Sequence, residues 1–281
     1  MLTVLEIIKR TTGFFEQRGV ESARLNAELL IGHALGLKRM QLYIQFERPL
    51  TEAELELIRP LVKRRGIREP LQYIMGETDF FGLKLKVDRR ALIPRPETER
   101  IIELVVQQLT TPPAAILDLG TGSGAMALAL AKTWPESVVT AVDQSEEALA
   151  LARENAVTCG LDARVNFIRS DWFAQVPAGA TFQLIVANPP YLTDEETAAT
   201  PPEVKDFEPR SALSAGPDGT ADLTQIIRES RTRLSPGGLL ACETGIEQHP
   251  ELAALASAQK YARVESLRDL TGRDRYLLAW A

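Results

Sequence analysis

The residues with the clearest chemistry are Asn188-Pro189-Pro190-Tyr191, which follow the apolar run Phe182-Gln-Leu-Ile-Val-Ala187. The Asn188 side-chain carbonyl and the Pro189 main-chain carbonyl can accept both N–H groups of a planar NH2, fixing its orientation and leaving the nitrogen lone pair free. Pro189 and Pro190 have a fixed φ and no N–H, and Pro189 biases Asn188 toward extended backbone, so no local donor competes for those carbonyls. The Tyr191 ring can pack on the substrate plane. This points to methyl transfer onto an amide or amino nitrogen. Asn188, Pro189 and Tyr191 are the catalytic candidates, and Pro190 completes the substrate-binding set.

A second group of residues could hold the methyl donor. Asp118-Leu-Gly120-Thr121-Gly122-Ser123-Gly124 ends an apolar run and opens a helical pattern at Ala125, and its glycines let the backbone pass close to a nucleoside-sized ligand. Read as Gly120-x-Gly122-x-x-Ala125, the stretch also satisfies a dinucleotide fingerprint, with Asp143 about where a ribose-binding acid belongs. The leading Asp118 favours S-adenosyl-L-methionine over a nicotinamide cofactor, as does the tetrapeptide, which has no role in hydride transfer. Asp143 would then accept from the ribose hydroxyls, Asp171 would bond the adenine amino group and Trp172 would stack on its ring. Taken singly, each has a plainer reading. An Asp after a strand is often a helix cap, with Ser145 an alternative cap here, and a lone Trp is usually core. Linkage to the glycine loop favours the cofactor.

These residues need a scaffold. Up to about Gly76 the apolar positions fall at three- and four-residue spacing, as in Leu5-Ile8-Phe15, Leu25-Leu29-Ile31-Leu35 and Leu55-Ile58-Leu61-Val62, which predicts a small helical bundle. Thr51 and Glu54 form a capping-box pair at one helix start, and Gly66 is expected to end that helix. Residues 77 to 93 change period, and the strict alternation Leu83-Lys-Leu-Lys-Val87 reads as a hairpin. From Ala114 onward, strand runs at residues 116–119, 138–142, 165–168, 184–186 and 239–242 alternate with helical segments, the pattern of a parallel doubly wound sheet. Residues 263–267 and 275–280 follow without an intervening helix, predicting a terminal hairpin with one antiparallel strand and a seven-stranded total. Residues 192 to 220 form a long polar connection after the tetrapeptide, expected to be a substrate-covering loop.

With 281 residues, 45% hydrophobic and 25% charged, the chain has room for one large α/β domain and a smaller companion. A net charge of −6 argues against broad nucleic-acid affinity, and no run approaches the roughly 18 apolar residues of a membrane span. Cys159 and Cys242 lack CxxC spacing and, with His33 and His249 the only histidines, assemble no metal-ligand pattern. Both cysteines read as buried thiols, and the protein as cytoplasmic. The basic run Lys63-Arg64-Arg65-Gly66-Ile67-Arg68 reads as a solvated helix end or a docking surface in a ribosomal environment.

The sequence resembles the bacterial peptide chain release factor glutamine methyltransferases over nearly its whole length. The segments that carry this are Pro70-Leu-Gln-Tyr-Ile-Met-Gly76, Phe80-Phe-Gly82, Leu92-Ile-Pro-Arg-Pro-Glu-Thr-Glu99, the glycine loop, Ser170-Asp-Trp172, Asn188-Pro-Pro-Tyr191, Phe207-Glu-Pro-Arg210 and Glu243-Thr-Gly245. The resemblance implies a seven-stranded, Rossmann-like class I S-adenosylmethionine-dependent methyltransferase domain at 97–281. It also implies a helical substrate-recognition domain at 1–76 and a β-hairpin linker at 77–96. Gly120 to Gly124, Asp143, Trp172 and Asn188 would bind the cofactor, and Asn188 through Tyr191 the glutamine of a release factor's Gly-Gly-Gln motif. The stretch Ile93 to Glu99 separates this family from the similar ribosomal-protein glutamine methyltransferases, and adenine-N6 DNA methyltransferases share only the tetrapeptide and the cofactor loop. The chain departs from the family at Ala215-Gly-Pro-Asp-Gly-Thr220, where a glycine pair before Asp-Gly-Leu is usual. Arg95 and Glu97 divide evenly between function and a salt-bridged helix start, while Glu208 and Arg210 read as loop-fixing charges. A noncatalytic ribosome-associated binder with the same fold is the contrasting class, disfavoured by the intact tetrapeptide. A glutamine amide is a poor nucleophile, so orientation should dominate and no His or Lys base is expected.

Overall fold

A computed structural model describes residues 2–281. The chain forms two compact units, one running to Glu77 and including Pro201–Phe207, the other made of Thr78–Thr200 and Glu208–Ala281.

The first unit contains α1 (Val4–Gln17), α2 (Ala23–Leu35), α3 (Arg39–Ile44), α4 (Glu52–Gly66) and α5 (Leu71–Met75), joined by a short helix at Pro202–Lys205. Val4, Ile8, Phe15, Leu30, Ile31, Leu42 and Ile58 form its core, as the helical spacing requires. The expected capping box starts α4, with Glu54 N–H donating to Thr51 Oγ1 (3.3 Å) and Thr51 N–H to Glu54 Oε2 (2.9 Å). Gly66 ends that helix as expected, being its last residue, and Ile67 caps it. Glycine is needed there because a Cβ would collide with the Phe14 ring. The basic run is a helix end, as expected, with Lys63 and Ile67 exposed, but its arginines are engaged in ion pairs. Arg64 pairs with Glu69 (2.8 Å), while Arg65 donates to Asn26 Oδ1 (2.8 Å) and to Glu203 (2.8 Å). Arg68 also reaches Glu203 (2.6 Å), so the run clamps the 201–207 segment within its own unit.

A two-stranded hairpin, β1 (Glu77–Phe80) and β2 (Leu83–Lys86), sits where the hydrophobic period changes. The second unit continues with α6 (Pro96–Gln108), β3 (Ala115–Leu119), α7 (Ala125–Thr133), β4 (Val138–Asp143), α8 (Glu146–Thr158), β5 (Val165–Arg169) and β6 (Phe182–Ala187). After α9 (Asp194–Ala199), α10 is the Pro202–Lys205 helix of the first unit; α11 (Ala221–Arg233), β7 (Leu234–Glu243), α12 (His249–Ala258), β8 (Arg263–Arg268) and β9 (Asp274–Trp280) follow. The sheet has seven strands in the order β5-β4-β3-β6-β7-β9-β8, with β9 antiparallel to both of its neighbours.

Both faces of the sheet are covered, which is why its central strands read as continuous apolar runs. Ile116 packs with Ile101, Leu128 and Ala156 from α6, α7 and α8, whereas Leu117 and Leu119 pack with Ile226 and Leu252 from α11 and α12. Cys242 is buried as expected, but Cys159, at the C-terminal end of α8, is only half-buried. The 192–220 connection is not an unstructured loop. Besides α9 and α10 it carries a bridge between Leu192 and Ser214, which returns the chain to the tetrapeptide. None of the described helices is long and apolar enough to cross a membrane.

Candidate active site

The strand register decides which loops become neighbours. Ile168, Val142, Leu119, Ala187 and Cys242 are paired in one row across β5, β4, β3, β6 and β7. The residues that follow them, Arg169, Asp143, Gly120, Asn188 and Glu243, therefore emerge side by side at the carboxyl edge of the parallel strands, where open α/β sheets bind ligands.

Two cavities open there. The larger, about 270 Å³, is lined by Gly120 to Ser123, Asp143, Asp171, Trp172 and Asn188 to Pro190, together with Leu92, Met126 and Asp222. The smaller, about 140 Å³, is lined by Arg95, Tyr191, Leu192, Leu213 and Glu243, and shares Asn188 and Pro189 with the larger. The structure thus brings every sequence-predicted site residue except Gly124 to one of the two walls. Gly124 instead opens α7 at φ +84°, where a Cβ would lie 3.1 Å from the Ala152 methyl carbon.

The larger cavity gathers the glycine loop, the Asp143 and Asp171 carboxyl groups and the Trp172 indole. Asp143 accepts the Gly122 N–H at 2.8 Å and the Ser145 N–H at 2.9 Å, which aims its carboxylate into the glycine turn. Ser145, rather than Asp143, caps α8, by accepting the Ala148 N–H. Burial pushes the Asp143 carboxyl above its ordinary range, against three backbone N–H bonds that stabilise the charge. Gly120 adopts φ +70°, and a Cβ there would lie 3.2 Å from the Trp172 ring, so glycine is required by both conformation and space. Trp172 has its own left-handed backbone (φ +41°) and donates its indole N–H to Asp222 at 3.2 Å. The sequence reading missed Asp222, which lies 50 residues beyond Trp172.

At the junction of the cavities a hydrogen-bond chain surrounds the tetrapeptide. Asn188 Nδ2 donates to Thr98 Oγ1 at 3.0 Å, and Thr98 Oγ1 donates to Glu243 Oε2 at 2.9 Å. The Tyr191 hydroxyl donates to Glu243 Oε1 at 3.2 Å and itself accepts from Arg275 at 3.4 Å. Glu243 is buried, and burial raises its pKa, opposed by Thr98, Arg275 and Tyr191. The Tyr191 hydroxyl is pushed well above its ordinary value by burial and by the charge of Glu243. Thr98 and Glu243 were not site candidates, although the spacing Thr98, Ile101, Ile102, Val105 places a polar residue on the buried face of α6, and Glu243 ends an apolar strand.

Arg95 holds Glu208 through both carboxylate oxygens at 2.7 Å, and Glu208 is buried. Arg95 therefore both lines the cavities and fixes the returning loop. Glu97 lines neither cavity; its main-chain carbonyl accepts the Tyr276 hydroxyl at 2.8 Å. Arg210 pairs with Asp194 on the surface (2.9 Å). Among the described residues, no histidine or lysine lines either cavity.

Residues 6–76 match the family model described as PrmC N-terminal domain, and residues 99–202 the one described as Methyltransferase small domain. The chain is 42% identical to a release factor glutamine methyltransferase of Geobacter sulfurreducens, with 97% of this chain and 95% of that protein covered. It is 38% identical to one from Rhodopirellula baltica, covering 98% and 95% of the two chains. Among solved structures, a methyltransferase from Pyrococcus furiosus aligns with a TM-score of 0.53 and 19% identity over 71% of this chain and 89% of that one. A T. thermophilus 16S rRNA methyltransferase in complex with AdoMet and guanosine aligns with a TM-score of 0.53 and 17% identity, over 73% and 49% of the two chains. These structures establish the class I methyltransferase fold.

Proposed function

The chain belongs to the release factor glutamine methyltransferases, and on that footing we propose that it methylates the side-chain amide nitrogen of the Gly-Gly-Gln glutamine of peptide chain release factors. S-adenosylmethionine is its cofactor and supplies an electrophilic sulfonium methyl group. The observation that carries the reading is the pair of cavities sharing Asn188 and Pro189: one fits a nucleoside, the other can take a side-chain amide, and the tetrapeptide stands at their junction.

In this reading Gly120 to Ser123 let the backbone approach the cofactor, Asp143 takes the ribose hydroxyls, and Asp171 and Trp172 hold the adenine. Asn188 Oδ1 and the Pro189 carbonyl accept the two N–H groups of the glutamine amide, and the Tyr191 ring supports its plane. The amide lone pair is delocalised, so holding both N–H groups lets the nitrogen turn its lone pair out of conjugation and toward the methyl. As positive charge develops on nitrogen, both carbonyl dipoles stabilise it. The amide proton becomes acidic only after transfer and can leave to water, so no side-chain base is needed. Work in the cytoplasm, close to ribosomes, follows from the partner.

Replacing Asn188 with Ala removes one positioned acceptor and is expected to lower kcat by about 100- to 1,000-fold. Titration calorimetry should find S-adenosylmethionine affinity changed far less. Near-normal turnover in N188A would overturn the mechanism.

A further inference from the structure

An asparagine amide can face a substrate with either its oxygen or its NH2, and only the oxygen can accept an N–H. The two prolines that follow Asn188 have no N–H with which to hold its oxygen. We propose that Glu243, acting through Thr98, is the positioning residue that turns Asn188 so that Oδ1 faces the substrate amide. This rests on the glutamine-methylating reading and deepens it.

The direction of every bond in the chain follows from its ends. Arg275 can only donate, so its contact with the Tyr191 oxygen (3.4 Å) favours a phenol whose hydrogen goes onward to Glu243 (3.2 Å). Glu243 as carboxylate can only accept, so Thr98 gives its single hydroxyl hydrogen to Oε2 (2.9 Å). What Thr98 then offers Asn188 at 3.0 Å is a lone pair, and only Nδ2 can use it. Two donor chains thus converge on one buried carboxylate. One starts at Arg275 and passes through Tyr191; the other starts at Asn188 and passes through Thr98. The same carboxylate fixes both ends of the tetrapeptide. In the opposite orientation, Nδ2 would confront the substrate N–H groups, and the Thr98 lone pair would face Oδ1.

Thr98 and Glu243 have the placement such a role needs. Both are buried, with Thr98 lining the larger cavity and Glu243 the smaller, so the relay lies in the wall between the two. Glu243 is the last residue of β7, in line with Asn188 at the end of β6 through the Ala187–Cys242 pairing. Thr98 is in the first turn of α6, directed inward with Ile101 and Ile102.

The test compares T98V, T98S and N188D, using purified protein, S-adenosylmethionine and release factor. Thr98→Val keeps shape and removes the hydroxyl; kcat should fall about 10- to 100-fold, while Thr98→Ser should stay within about threefold of wild type. Cofactor affinity should be the same in all three threonine-site proteins. Asn188→Asp presents oxygen in either orientation, so adding T98V to N188D should cost little further activity. A merely structural role for Thr98 would instead give the same fold-loss in both backgrounds. Wild-type kcat in T98V, or a T98S loss equal to that of T98V, would overturn the relay. Failure of the wild-type protein to methylate release factor would overturn the functional reading instead, so the two are separable.

Discussion

Asp118 shows how one buried acid organises the cofactor loop. Its Oδ2 accepts the Thr121 hydroxyl at 2.6 Å and the Ala127 N–H at 3.1 Å, tying the glycine turn to the start of α7. Its Oδ1 is buried without a hydrogen-bond partner. Burial, helped by the nearby Asp143 charge, pushes its pKa up to about 7 from 3.8. A carboxyl whose folded pKa is raised contributes stability that is complete below its unfolded pKa and is lost as pH rises through the folded value. An asparagine side chain cannot ionise, so the Asp118→Asn variant should gain on wild type as pH rises from about 4 to 7, by roughly 2–5 °C in Tm difference. The unpartnered amide group of the variant adds a pH-independent offset, which the difference across pH removes. Calorimetric Tm values for the two proteins across that range check this, and a pH-independent difference would contradict it. Glu243 is raised in the same direction, but it is held by the Thr98 and Tyr191 hydroxyls beside the Arg275 charge, and its carboxylate form is the one the relay uses.

The strand, glycine turn and helix from β3 to α7 were legible in the sequence because each is local: an apolar run, a cluster of glycines, a return to helical spacing. Gly120 carries most of the constraint, since its φ of +70° and the Trp172 ring 3.2 Å from its missing Cβ both exclude a side chain. Gly120→Ala should weaken S-adenosylmethionine binding by about tenfold or more, from the cost of left-handed backbone and the displaced indole. Titration calorimetry would show it, and unchanged affinity would mean that the turn is looser than its contacts require. What the sequence did not disclose were contacts between distant elements. Thr98 and Glu243 lie 145 positions apart, and although both fall in segments that carry the family resemblance, nothing local pairs one with the other. The inward face of α6 was visible as periodicity, but a threonine on it reads equally well as a tolerated core residue. Gly66 shows the same divide. It ends α4, as its local sequence suggests, but its second role, admitting the Phe14 ring, is a packing demand that the local sequence does not show. The engagement of Arg65 and Arg68 within the basic run was not legible because their partners, Asn26 and Glu203, lie far from it along the chain.

At the scale of the molecule, the connection after the tetrapeptide is divided between the two units. Residues Pro201–Phe207 belong with the helices, anchored there by Arg65 and Arg68 on Glu203. The stretch beyond them supplies Ala212 and Leu213 to the smaller cavity and is fixed by Arg95 on Glu208. The segment expected to cover substrate is therefore held at two glutamates, Glu203 by Arg65 and Arg68 in one unit and Glu208 by Arg95 in the other. The helical unit matches the PrmC N-terminal domain family, and its relatives of similar length are named for the same substrate class. An acidic protein of net charge −6 has little to attract a nucleic acid through nonspecific electrostatics, which again favours a protein substrate.

The central claim is tested most directly by mass spectrometry of purified release factor after incubation with this protein and S-adenosylmethionine, with the added methyl mapped by peptide fragmentation and N188A run in parallel. The account predicts a single methyl on the glutamine of the Gly-Gly-Gln motif, made by wild type and strongly reduced with N188A. An unmodified release factor while the protein binds its cofactor, or a methyl placed on another residue, would contradict it and direct the search to ribosomal-protein glutamines and nucleic-acid amino groups.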